Sequence, residues 1–448
     1  MTTTEELYKI FQKHPSVTTD TRRITEGSIF FALKGETFDG NTFAEQALEL
    51  GAAYAVIDNS DFKKNERLLL VKDVLTALQD LARHHRRQFD IPFIAITGSN
   101  GKTTTKELVA AVMNTRYNTL FTKGNFNNHI GVPLTLLQVT EDHEAAIIEM
   151  GANHQGEIDL LCSIAEPTHG LITNIGKAHL EGFGGIEGVK QGKSEMYRWL
   201  AAHNGTAFIN EDEAFLSGLA PLNVRKIGYR QSDNPLKHTP QYEARLDGVD
   251  PFLNLSILNE KGNLLPIHTQ IVGIYNFNNI LTAIAVGKYF KVPAAKIQKA
   301  IANFIPEMNR SQVVKYGEAT LILDAYNANP SSMRQALLNL AAMPQSKKVA
   351  IIGDMRELGD ESAVEHLEIL TLAKSLKFNQ LVTVGDDFGR AQTASKGKNT
   401  EELVPPSRES HFSTNLEAKE WFKNQSFNKD TCILIKGSRG MKLEVLTQ

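Results

Sequence analysis

The stretch FIAITGSNGKTTTKELV, residues 93–109, decides what kind of fold to expect. FIAIT predicts a short buried strand, the residues from Gly98 to Gly101 predict a tight loop, and Lys102 opens a pattern typical of a helix. Glycines let backbone N–H groups approach an anion, and a helix N-terminus adds favourable dipole charge. The stretch therefore predicts a phosphate-binding loop in an α/β protein.

This loop is shorter than the usual phosphate-binding pattern, which needs a glycine where this chain has Ile96. We expect Lys102 to reach the terminal phosphates of a nucleotide and the hydroxyl of Thr103 to bind Mg²⁺. A plain glycine turn that enters a helix without any ligand is the alternative. The residues expected to cradle the phosphates are Gly98, Ser99, Asn100, Gly101, Lys102, Thr103 and Thr104.

Composition excludes several classes of protein. The chain has 448 residues and a net charge of −3, which gives no electrostatic case for a nucleic-acid or membrane partner. No run approaches the ~20 apolar residues of a membrane span, and the N-terminus lacks the apolar segment of a signal peptide. Cys162 and Cys432 fit no metal spacing, so we expect two core residues in a reducing, cytoplasmic setting.

Three blocks can be drawn along the chain. Residues 1–86 contain the short strand patterns SIFFAL and AYAVID and the helical pattern TFAEQALELGA. Residues 87–309 alternate strands with helices, which predicts a mostly parallel sheet, with an antiparallel addition at about 241–273. Residues 310–448 predict a smaller α/β unit from ATLILDAY, KVAIIGD, QLVTVG and TCILIKG. We interpret the basic run ARHHRRQFDIP near the first boundary as a solvated helix end.

The shortened loop, GSNGKTTTKE, resembles the ATP loop of the Mur ligase family, and other segments agree with the family in order. These are TTDTRRITEGSIFFALKGETFDG, KGNFNNHIGVPLTLL, EMGANHQGEI, TNIGKAHLEGFGG, GKSEMY, YNFNNILTA, LDAYNANPSSM, GDMRELGDES and KGSRGMKLE. Together they span residues 18–444. The resemblance is closest to the branch that adds D-alanyl-D-alanine to a UDP-N-acetylmuramoyl-tripeptide in peptidoglycan precursor synthesis.

This resemblance implies an α/β fold of three domains. Residues 1–86 would be a small UDP-sugar-binding domain and residues 87–309 a central P-loop-type ATP-binding ligase domain. Residues 310–448 would be a Rossmann-like domain that closes on ATP and binds the incoming dipeptide. The implied reaction transfers the γ-phosphoryl group of ATP to a substrate carboxylate and then lets an amine displace phosphate, with ATP and Mg²⁺ required.

The resemblance also assigns roles to individual residues. Catalytic roles fall to Lys102, His179 and Lys193, and metal ligation to Thr103, Glu149, His179 and a carbamylated Lys193. Nucleotide contacts beyond the loop fall to Asn279, Arg310 and Asp324. The UDP-sugar segment supplies Thr21, Arg22, Lys34, Asp39 and Gly40, the muramoyl-peptide contacts are Asn127 and Asn128, and Tyr326, Asn327 and Asn329 belong to the dipeptide segment. The residues alone do not distinguish Lys193 from Lys190.

Two alternatives remain open at this point. One is a sibling ligase that adds another amino acid or extends folate, although DTRR and KGETFDG argue against the folate relative. The other is a nucleotide-binding regulatory protein without ligase activity. We interpret Asp233-Asn234-Pro235, followed by Leu236, as a polar turn. We expect a cytoplasmic monomer that acts on small molecules, and the third residue of the tripeptide is not determined.

Overall fold

The computed structural model describes residues 1–233, 242–307, 309–395 and 408–448, and these ranges form three β-sheets. Consecutive parts of the chain form the three sheets, and each sheet lies within one of the three predicted blocks. The block boundaries themselves stay predictions. The Asn234–Leu236 part of the predicted polar turn lies outside the described residues.

The first sheet has four parallel strands in the order β1-β2-β3-β4. Its strands are β1 Val17–Thr18, β2 Ile29–Phe31, β3 Tyr54–Ile57 and β4 Leu68–Leu70, with helices α1 Thr4–Lys13, α2 Ala44–Glu49 and α3 Val74–Arg86. The predicted strands around SIFFAL and AYAVID and the helix after Thr42 are confirmed. β1 and β4 were not predicted, because two or three strand residues carry too little periodicity to recognise. α1 was also missed, although Thr3 and Glu6 form a capping box at its start.

The basic end of α3 contradicts its interpretation as a solvated helix end. His85 and Arg86 are only 7% and 8% exposed. Arg86 donates hydrogen bonds to the carbonyls of Ala165 and Glu166, at 3.0 and 2.8 Å, and its guanidinium lies over the ring of Phe93. The last carbonyls of a helix have no partner within it and are costly to bury unpaired. One arginine can donate hydrogen bonds to several of them at once. The basic run therefore joins the first sheet's helix to the second sheet's helices.

The second sheet has nine strands in the order β13-β12-β11-β10-β9-β8-β5-β7-β6. Its strands are β5 Phe93–Thr97, β6 Thr119–Phe121, β7 Ala145–Glu149, β8 His169–Ile172, β9 Thr206–Asn210, β10 Arg225–Gln231, β11 Glu243–Val249, β12 Phe252–Leu258 and β13 Leu264–Val272. Its helices are α4 Lys102–Met113, α5 Gly131–Leu136, α6 Glu157–Ala165, α7 Leu180–Phe183, α8 Ile186–Ala202, α9 Leu216–Leu219, α10 Asn276–Tyr289 and α11 Ala294–Ala302.

Pairing in this sheet is parallel from β6 to β11 and antiparallel from β11 to β13, so the predicted antiparallel addition is confirmed. Every residue of β5 is buried, because helices cover both faces of a parallel sheet. β5 lies between β7 and β8; α4, which leaves β5, packs on one face of the sheet, whereas α5 and α6, which lead to β7 and β8, pack on the other. Open α/β sheets bind ligands at the carboxyl end of such a switch point.

The third sheet has six strands in the order β14-β15-β19-β16-β17-β18, all parallel except the edge strand β14. Its elements are β14 Gln312–Tyr316, β15 Ala319–Asp324, α12 Pro330–Ala342, β16 Lys347–Gly353, α13 Ser362–Ser375, β17 Gln380–Val384, α14 Asp386–Ser395, β18 Arg408–Phe412, α15 Asn415–Lys423 and β19 Thr431–Lys436. The four predicted apolar strands are confirmed as β15, β16, β17 and β19. Both cysteines are buried and free, as expected. None of the described helices is long and apolar enough to span a membrane.

Candidate functional site

The loop between β5 and α4 packs so closely that two of its positions require glycine. Gly98 has φ of +143° and Gly101 has φ of +78°. A Cβ on Gly98 would lie 2.0 Å from the hydroxyl of Thr173, and one on Gly101 would lie 2.5 Å from the amide oxygen of Asn279. The shortened glycine spacing therefore matches a loop squeezed between the end of β8 and the start of α10.

Two residues after β8 hold the loop backbone in place. Ser99 N–H donates to the carbonyl of Asn174 at 3.0 Å, and Asn100 N–H donates to the Asn174 side chain at 3.0 Å. The hydroxyl of Thr173 donates to the Asn100 carbonyl at 2.6 Å. Sequence reasoning assigned no role to these two residues. Their place just past the end of an apolar strand was the available signal, since parallel strands bring their carboxyl ends together.

Lys102 lies against the loop that it follows. Its ammonium donates to the Gly98 carbonyl at 2.7 Å and approaches the Ser99 carbonyl at 3.4 Å. Burial lowers the pKa of Lys102, while the nearby Glu149 carboxylate opposes the shift and Arg310 adds to it. A cation held by carbonyls at a loop mouth is well placed to exchange them for phosphate oxygens.

Glu149 forms the acidic centre of the site, at the end of β7. It is 1% exposed, and its Oε1 accepts hydrogen bonds from the Thr103 hydroxyl at 3.1 Å and from the Asn127 amide at 2.8 Å. Among the described residues its Oε2 has no hydrogen-bond partner, and the ammonium of Lys106 lies 3.8 Å from it. Adjacent hydroxyl and carboxylate oxygens, one of them unsatisfied, fit a hard divalent cation.

Lys106 is a residue that sequence reasoning missed. Its side chain is completely buried, donates to the Thr122 carbonyl at 2.6 Å and pairs with Glu107 at 2.8 Å. The signal was its spacing, because Lys102 and Lys106 are four residues apart on one face of α4. Lys106 therefore places a buried ammonium group beside the Glu149 carboxylate.

Lys193 differs clearly in environment from Lys190, which the residues alone did not separate. Lys193 is 1% exposed, donates to the Ala152 carbonyl at 3.1 Å and lies 5.0 Å from the ring centroid of Phe183. Burial, and then the positive charge of Lys102, holds the pKa of Lys193 well below its usual range. Lys190 instead pairs with Glu187 at 2.6 Å. A buried lysine with a lowered pKa can present the neutral amine that carbamylation requires.

His179 joins the second sheet to the third. It has φ of +52° immediately before α7, and its Nδ1 contacts the carboxylate of Glu357 in the loop after β16. The close contact with His179 lowers the pKa of Glu357, against an opposing effect of burial. The predicted metal-ligand role of His179 stays a prediction.

Four charged or aromatic residues of the third block line the cleft: Arg310, Asp324, Tyr326 and Lys436. The guanidinium of Arg310 lies 3.6 Å from the ring centroid of Tyr326. Asp324, at the end of β15, accepts a hydrogen bond from Ser311 N–H at 3.0 Å and one from Lys436 at 2.7 Å. Lys436 was missed, although a lysine that closes the apolar run TCILIK on a neighbouring parallel strand was a usable signal.

Several predicted asparagines are already engaged within the protein. Asn128 accepts from Gly131 N–H at 2.8 Å before α5, and Asn327 accepts from Ala328 N–H at 2.9 Å. Asn279 accepts from the Thr105 hydroxyl at 3.0 Å and donates to Asn276 at 2.8 Å. Asn329 caps α12 and donates to Asn100. Contacts between these side chains and a ligand stay predictions. Each such contact would have to coexist with, or displace, a hydrogen bond that the side chain already makes within the protein.

A cleft of about 650 Å³ collects most of the predicted site between the second and third sheets. The predicted residues that line it are Ser99, Asn100, Gly101, Lys102, Thr103, Thr104, Asn127, Asn128, Glu149, His179, Asn279, Arg310, Asp324, Tyr326, Asn327 and Asn329. Gly98 and Lys193 do not line the cleft, but each bonds to a residue that does: Gly98 to Lys102 and Lys193 to Ala152. Among the described residues, none of the predicted residues of the first block lines the cleft.

The predicted residues of the first block lie outside the cleft. Arg22 pairs with Asp20 at 2.8 Å beside Thr21, and Lys34 pairs with Asp58 at 2.8 Å. Asp39 accepts from Asn41 N–H at 2.9 Å and begins the turn that contains Gly40, where a Cβ would lie 2.3 Å from the Leu33 carbonyl. A nucleotide-sugar contact at this group stays a prediction.

A second cluster of possible metal ligands lies in the third sheet, at Asp354, His366 and Asp387. His366 Nδ1–H donates to the Ser362 carbonyl, so its Nε2 lone pair accepts from Met355 N–H at 3.0 Å. The Asp354 carboxylate accepts from the N–H groups of Asp387 and Phe388 at 3.1 and 3.0 Å. Because these lone pairs are already used, the cluster is a structural network that caps α14.

Comparisons with known proteins agree with this geometry. Sequence models of three families match the chain: "Mur ligase family, catalytic domain" at residues 15–86, "Mur ligase middle domain" at 96–287 and "Mur ligase, glutamate ligase domain" at 309–439. The UDP-N-acetylmuramoyl-tripeptide--D-alanyl-D-alanine ligase of Bacillus subtilis is 36% identical over 437 residues, which cover 96% of this chain and 92% of the relative.

Solved structures give the same result. MurF from Acinetobacter baumannii superposes with a TM-score of 0.83 at 30% identity, over 96% of this chain and 92% of that chain. The MurF ligase from Thermotoga maritima, in complex with ADP, superposes with a TM-score of 0.79 at 24% identity, over 96% of each chain. The three-sheet architecture is therefore shared along nearly the whole length.

Proposed function

The chain belongs to the Mur ligase family, and we propose that it is the ATP-dependent ligase that joins D-alanyl-D-alanine to UDP-N-acetylmuramoyl-tripeptide. The products are UDP-N-acetylmuramoyl-pentapeptide, ADP and phosphate. One observation supports this proposal most directly. A phosphate-type loop with Lys102 meets a buried carboxylate and hydroxyl, Glu149 and Thr103, in a cleft closed by charged residues of the third sheet.

Chemistry explains why such a cleft suits ligation. A carboxylate does not react with an amine until one of its oxygens is converted to a leaving group. The substrate carboxylate attacks the γ-phosphorus of ATP, the bond to the β,γ-bridging oxygen breaks, and ADP leaves. The amine of the dipeptide then attacks the acyl carbon, the C–O bond to phosphate breaks, and the amine loses a proton. Both steps bring anions together, so the site must supply positive charge.

Lys102 and Arg310 are proposed to supply that charge from opposite walls of the cleft. Lys102 would exchange its loop carbonyls for phosphate oxygens, and Arg310, stacked on Tyr326, would reach the same phosphates from the third sheet. Asp324, oriented by Lys436 and Ser311 N–H, would accept hydrogen bonds from the ribose hydroxyls. Glycines at 98 and 101 leave room for the phosphates beside the loop backbone.

The residues around Glu149 fit Mg²⁺. Thr103 and Glu149 would hold the ion, because both offer oxygen ligands and Glu149 Oε2 has no hydrogen-bond partner among the described residues. Bound there, Mg²⁺ would neutralise charge on the phosphates of ATP. Asn127 orients the carboxylate, while His179 and a carbamylated Lys193 are proposed ligands of a second ion.

The first block is proposed to bind the UDP moiety through Thr21, Arg22, Lys34, Asp39 and Gly40. A separate binding region for the carrier nucleotide suits a substrate that is much longer than the ligation cleft. The tripeptide would then extend along Asn127 and Asn128, and the dipeptide would enter beside Tyr326, Asn327 and Asn329. We further propose a cytoplasmic protein, since these substrates are small, soluble molecules, and a monomer, since a single chain supplies both walls of the cleft.

Mass-spectrometric analysis of reaction mixtures tests this proposal. Incubation with ATP, Mg²⁺, UDP-N-acetylmuramoyl-tripeptide and D-alanyl-D-alanine should yield the UDP-linked pentapeptide together with one ADP per product. Omitting any one component should leave the tripeptide unchanged. Parallel reactions with single amino acids or glutamate test a sibling ligase, and a product from those amines but none from the dipeptide would refute the proposal.

A further inference from the structure

A direct hydrogen bond joins the phosphate loop to Asn329, the N-cap residue of α12. The amide nitrogen of Asn329 donates to the amide oxygen of Asn100 at 2.7 Å, although the two residues are 229 positions apart. Asn100 belongs to the loop of the second sheet, while Asn329 belongs to the segment Tyr326–Pro330 of the third. The bond therefore crosses the cleft between the two sheets.

The direction of the Asn100 side chain is set by its backbone. Its N–H donates to Asn174 and its carbonyl accepts from Thr173 at 2.6 Å and from the Asn174 amide at 3.0 Å. Since both backbone groups are bonded to residues at the end of β8, the peptide has little freedom to rotate. The side chain is consequently presented toward the third sheet by the second sheet itself.

The Asn329 side chain divides its two polar atoms between two tasks. Its Oδ1 accepts from Ser332 N–H at 2.9 Å and caps α12, and its amide nitrogen reaches Asn100. The residue is 8% exposed. Replacing only the amide nitrogen would thus remove the contact between sheets and keep the helix cap.

A second contact runs parallel to the first. Ser99 bonds to Gly176 in both directions, donating to its carbonyl at 3.1 Å and accepting from its N–H at 2.9 Å. The next residue, Lys177, donates its N–H to the hydroxyl of Ser331 at 3.2 Å. Both Ser99 and Asn100 therefore support the start of α12. Asn100 contacts it directly, and Ser99 does so through the segment after β8.

We propose that the Asn100–Asn329 hydrogen bond is a positioning contact that stabilises the seating of the third sheet on the phosphate loop, and with it the assembled cleft to which nucleotide and dipeptide bind. The expected effect of this contact on dipeptide binding rests on the proposed function, whereas its expected effect on nucleotide binding does not. Neither asparagine needs to contact the reacting atoms. If only a fraction of the molecules hold the assembled cleft, the apparent affinity for a ligand falls in proportion to that fraction. Binding of either ligand raises the assembled fraction.

The affinity for ADP with Mg²⁺, measured by calorimetry, tests the proposal on the full chain. Asn329→Ser keeps a capping oxygen but cannot reach Asn100, and it should weaken ADP binding by about 2- to 10-fold, the range for one lost hydrogen bond. Asn100→Ala keeps both backbone bonds of that residue. In the Asn100→Ala background, Asn329→Ser should have no further effect on ADP binding, because the bond is already absent.

A matched control separates this effect from simple loss of stability. Thr414 caps α15 in the same sheet but makes its capping bonds only within that helix start. Thr414→Ala should lower the unfolding temperature and leave the ADP dissociation constant unchanged. In ligation assays, Asn329→Ser should raise KM for the dipeptide at subsaturating ATP more than at saturating ATP, since bound nucleotide reassembles the cleft.

Two outcomes would overturn the proposal. One is a wild-type ADP dissociation constant in Asn329→Ser, and the other is a double variant whose loss equals the product of the two single losses. Failure of the proposed function has a different signature. If the wild-type protein forms no pentapeptide but Asn329→Ser still weakens ADP binding only when Asn100 is present, the contact stands and the assigned reaction falls.

Discussion

The hydroxyl of Thr103 donates a 3.1 Å hydrogen bond to Glu149, which links the first turn of the loop helix to the end of the adjacent strand β7. The two residues come from different βα units, and the register of β5 with β7 brings them together. The same carboxylate receives Asn127 and faces the buried Lys106. A single acidic side chain is thus surrounded by three neighbours that orient it toward the cleft.

Replacing Lys102 should stop the chemistry without releasing the carrier substrate. Lys102→Ala removes the cation beside the loop, and loss of one such electrostatic group costs about 10²- to 10³-fold in rate. Phosphate release with all substrates measures this loss. The affinity for the UDP-tripeptide, measured by calorimetry without ATP, should change little, because the proposed UDP contacts lie in the first block. Ligation at the wild-type rate would contradict the proposed role of the loop.

Replacing Glu149 should change the demand for Mg²⁺. Glu149→Gln keeps the size of the side chain but removes the charge, so we expect the Mg²⁺ concentration for half-maximal activity to rise by about tenfold or more. A Mg²⁺ titration at fixed ATP gives this value. Glu187→Gln is a suitable control, since Glu187 is exposed and pairs only with Lys190 among the described residues. Equal Mg²⁺ dependence in all three proteins would exclude Glu149 as a ligand.

Two neighbouring arginines should differ strongly in their effect on stability. Arg86→Met leaves the buried carbonyls of Ala165 and Glu166 without their donor, so the apparent unfolding temperature should fall by about 5 °C. Arg87 pairs with the Glu166 carboxylate at 2.6 Å but is largely exposed. Arg87→Met should therefore shift the unfolding temperature by about 1 °C or less. Differential scanning calorimetry of the two variants decides the point, and equal shifts would contradict it.

His169, on β8, should make the protein less stable in mild acid. Burial, and then the charge of Arg225, lowers the pKa of His169 to about 4. An unfolded histidine titrates at about 6.5, so the unfolded chain binds more protons between these values and stability falls as the pH drops. From pH 8 to pH 5 the loss attributable to His169 should be about 2 kcal/mol.

Urea denaturation of wild type and His169→Gln at both pH values measures this difference. The variant should lose about 2 kcal/mol less than wild type between pH 8 and pH 5. His268 is an exposed histidine on β13, and His268→Gln should keep the wild-type pH dependence. Identical pH dependence in wild type and His169→Gln would show that another group controls stability in this range.

Local sequence patterns were sufficient for the elements that carry most of the site. Long apolar strands such as FIAIT, the glycine loop and the helix from Lys102 follow from periodicity and backbone chemistry, and all three are confirmed. The very short strands β1 and β4 have too few residues for any pattern. The basic run at the end of α3 was interpreted wrongly, because its buried partners, the carbonyls at the end of α6, come from a distant part of the chain.

The amino-acid sequence by itself determined the fold class and the strand, glycine loop and helix that begin at Phe93, since each depends on residues that are close along the chain, whereas Glu149 was singled out by the family resemblance. Only the tertiary structure decided which groups meet across long separations: Lys106 with Glu149, Lys436 with Asp324, and Asn329 with Asn100. It also distinguished buried Lys193 from Lys190. Strand order and the docking of one sheet on another arise from the burial of apolar surface summed over whole domains, which no short stretch of sequence encodes.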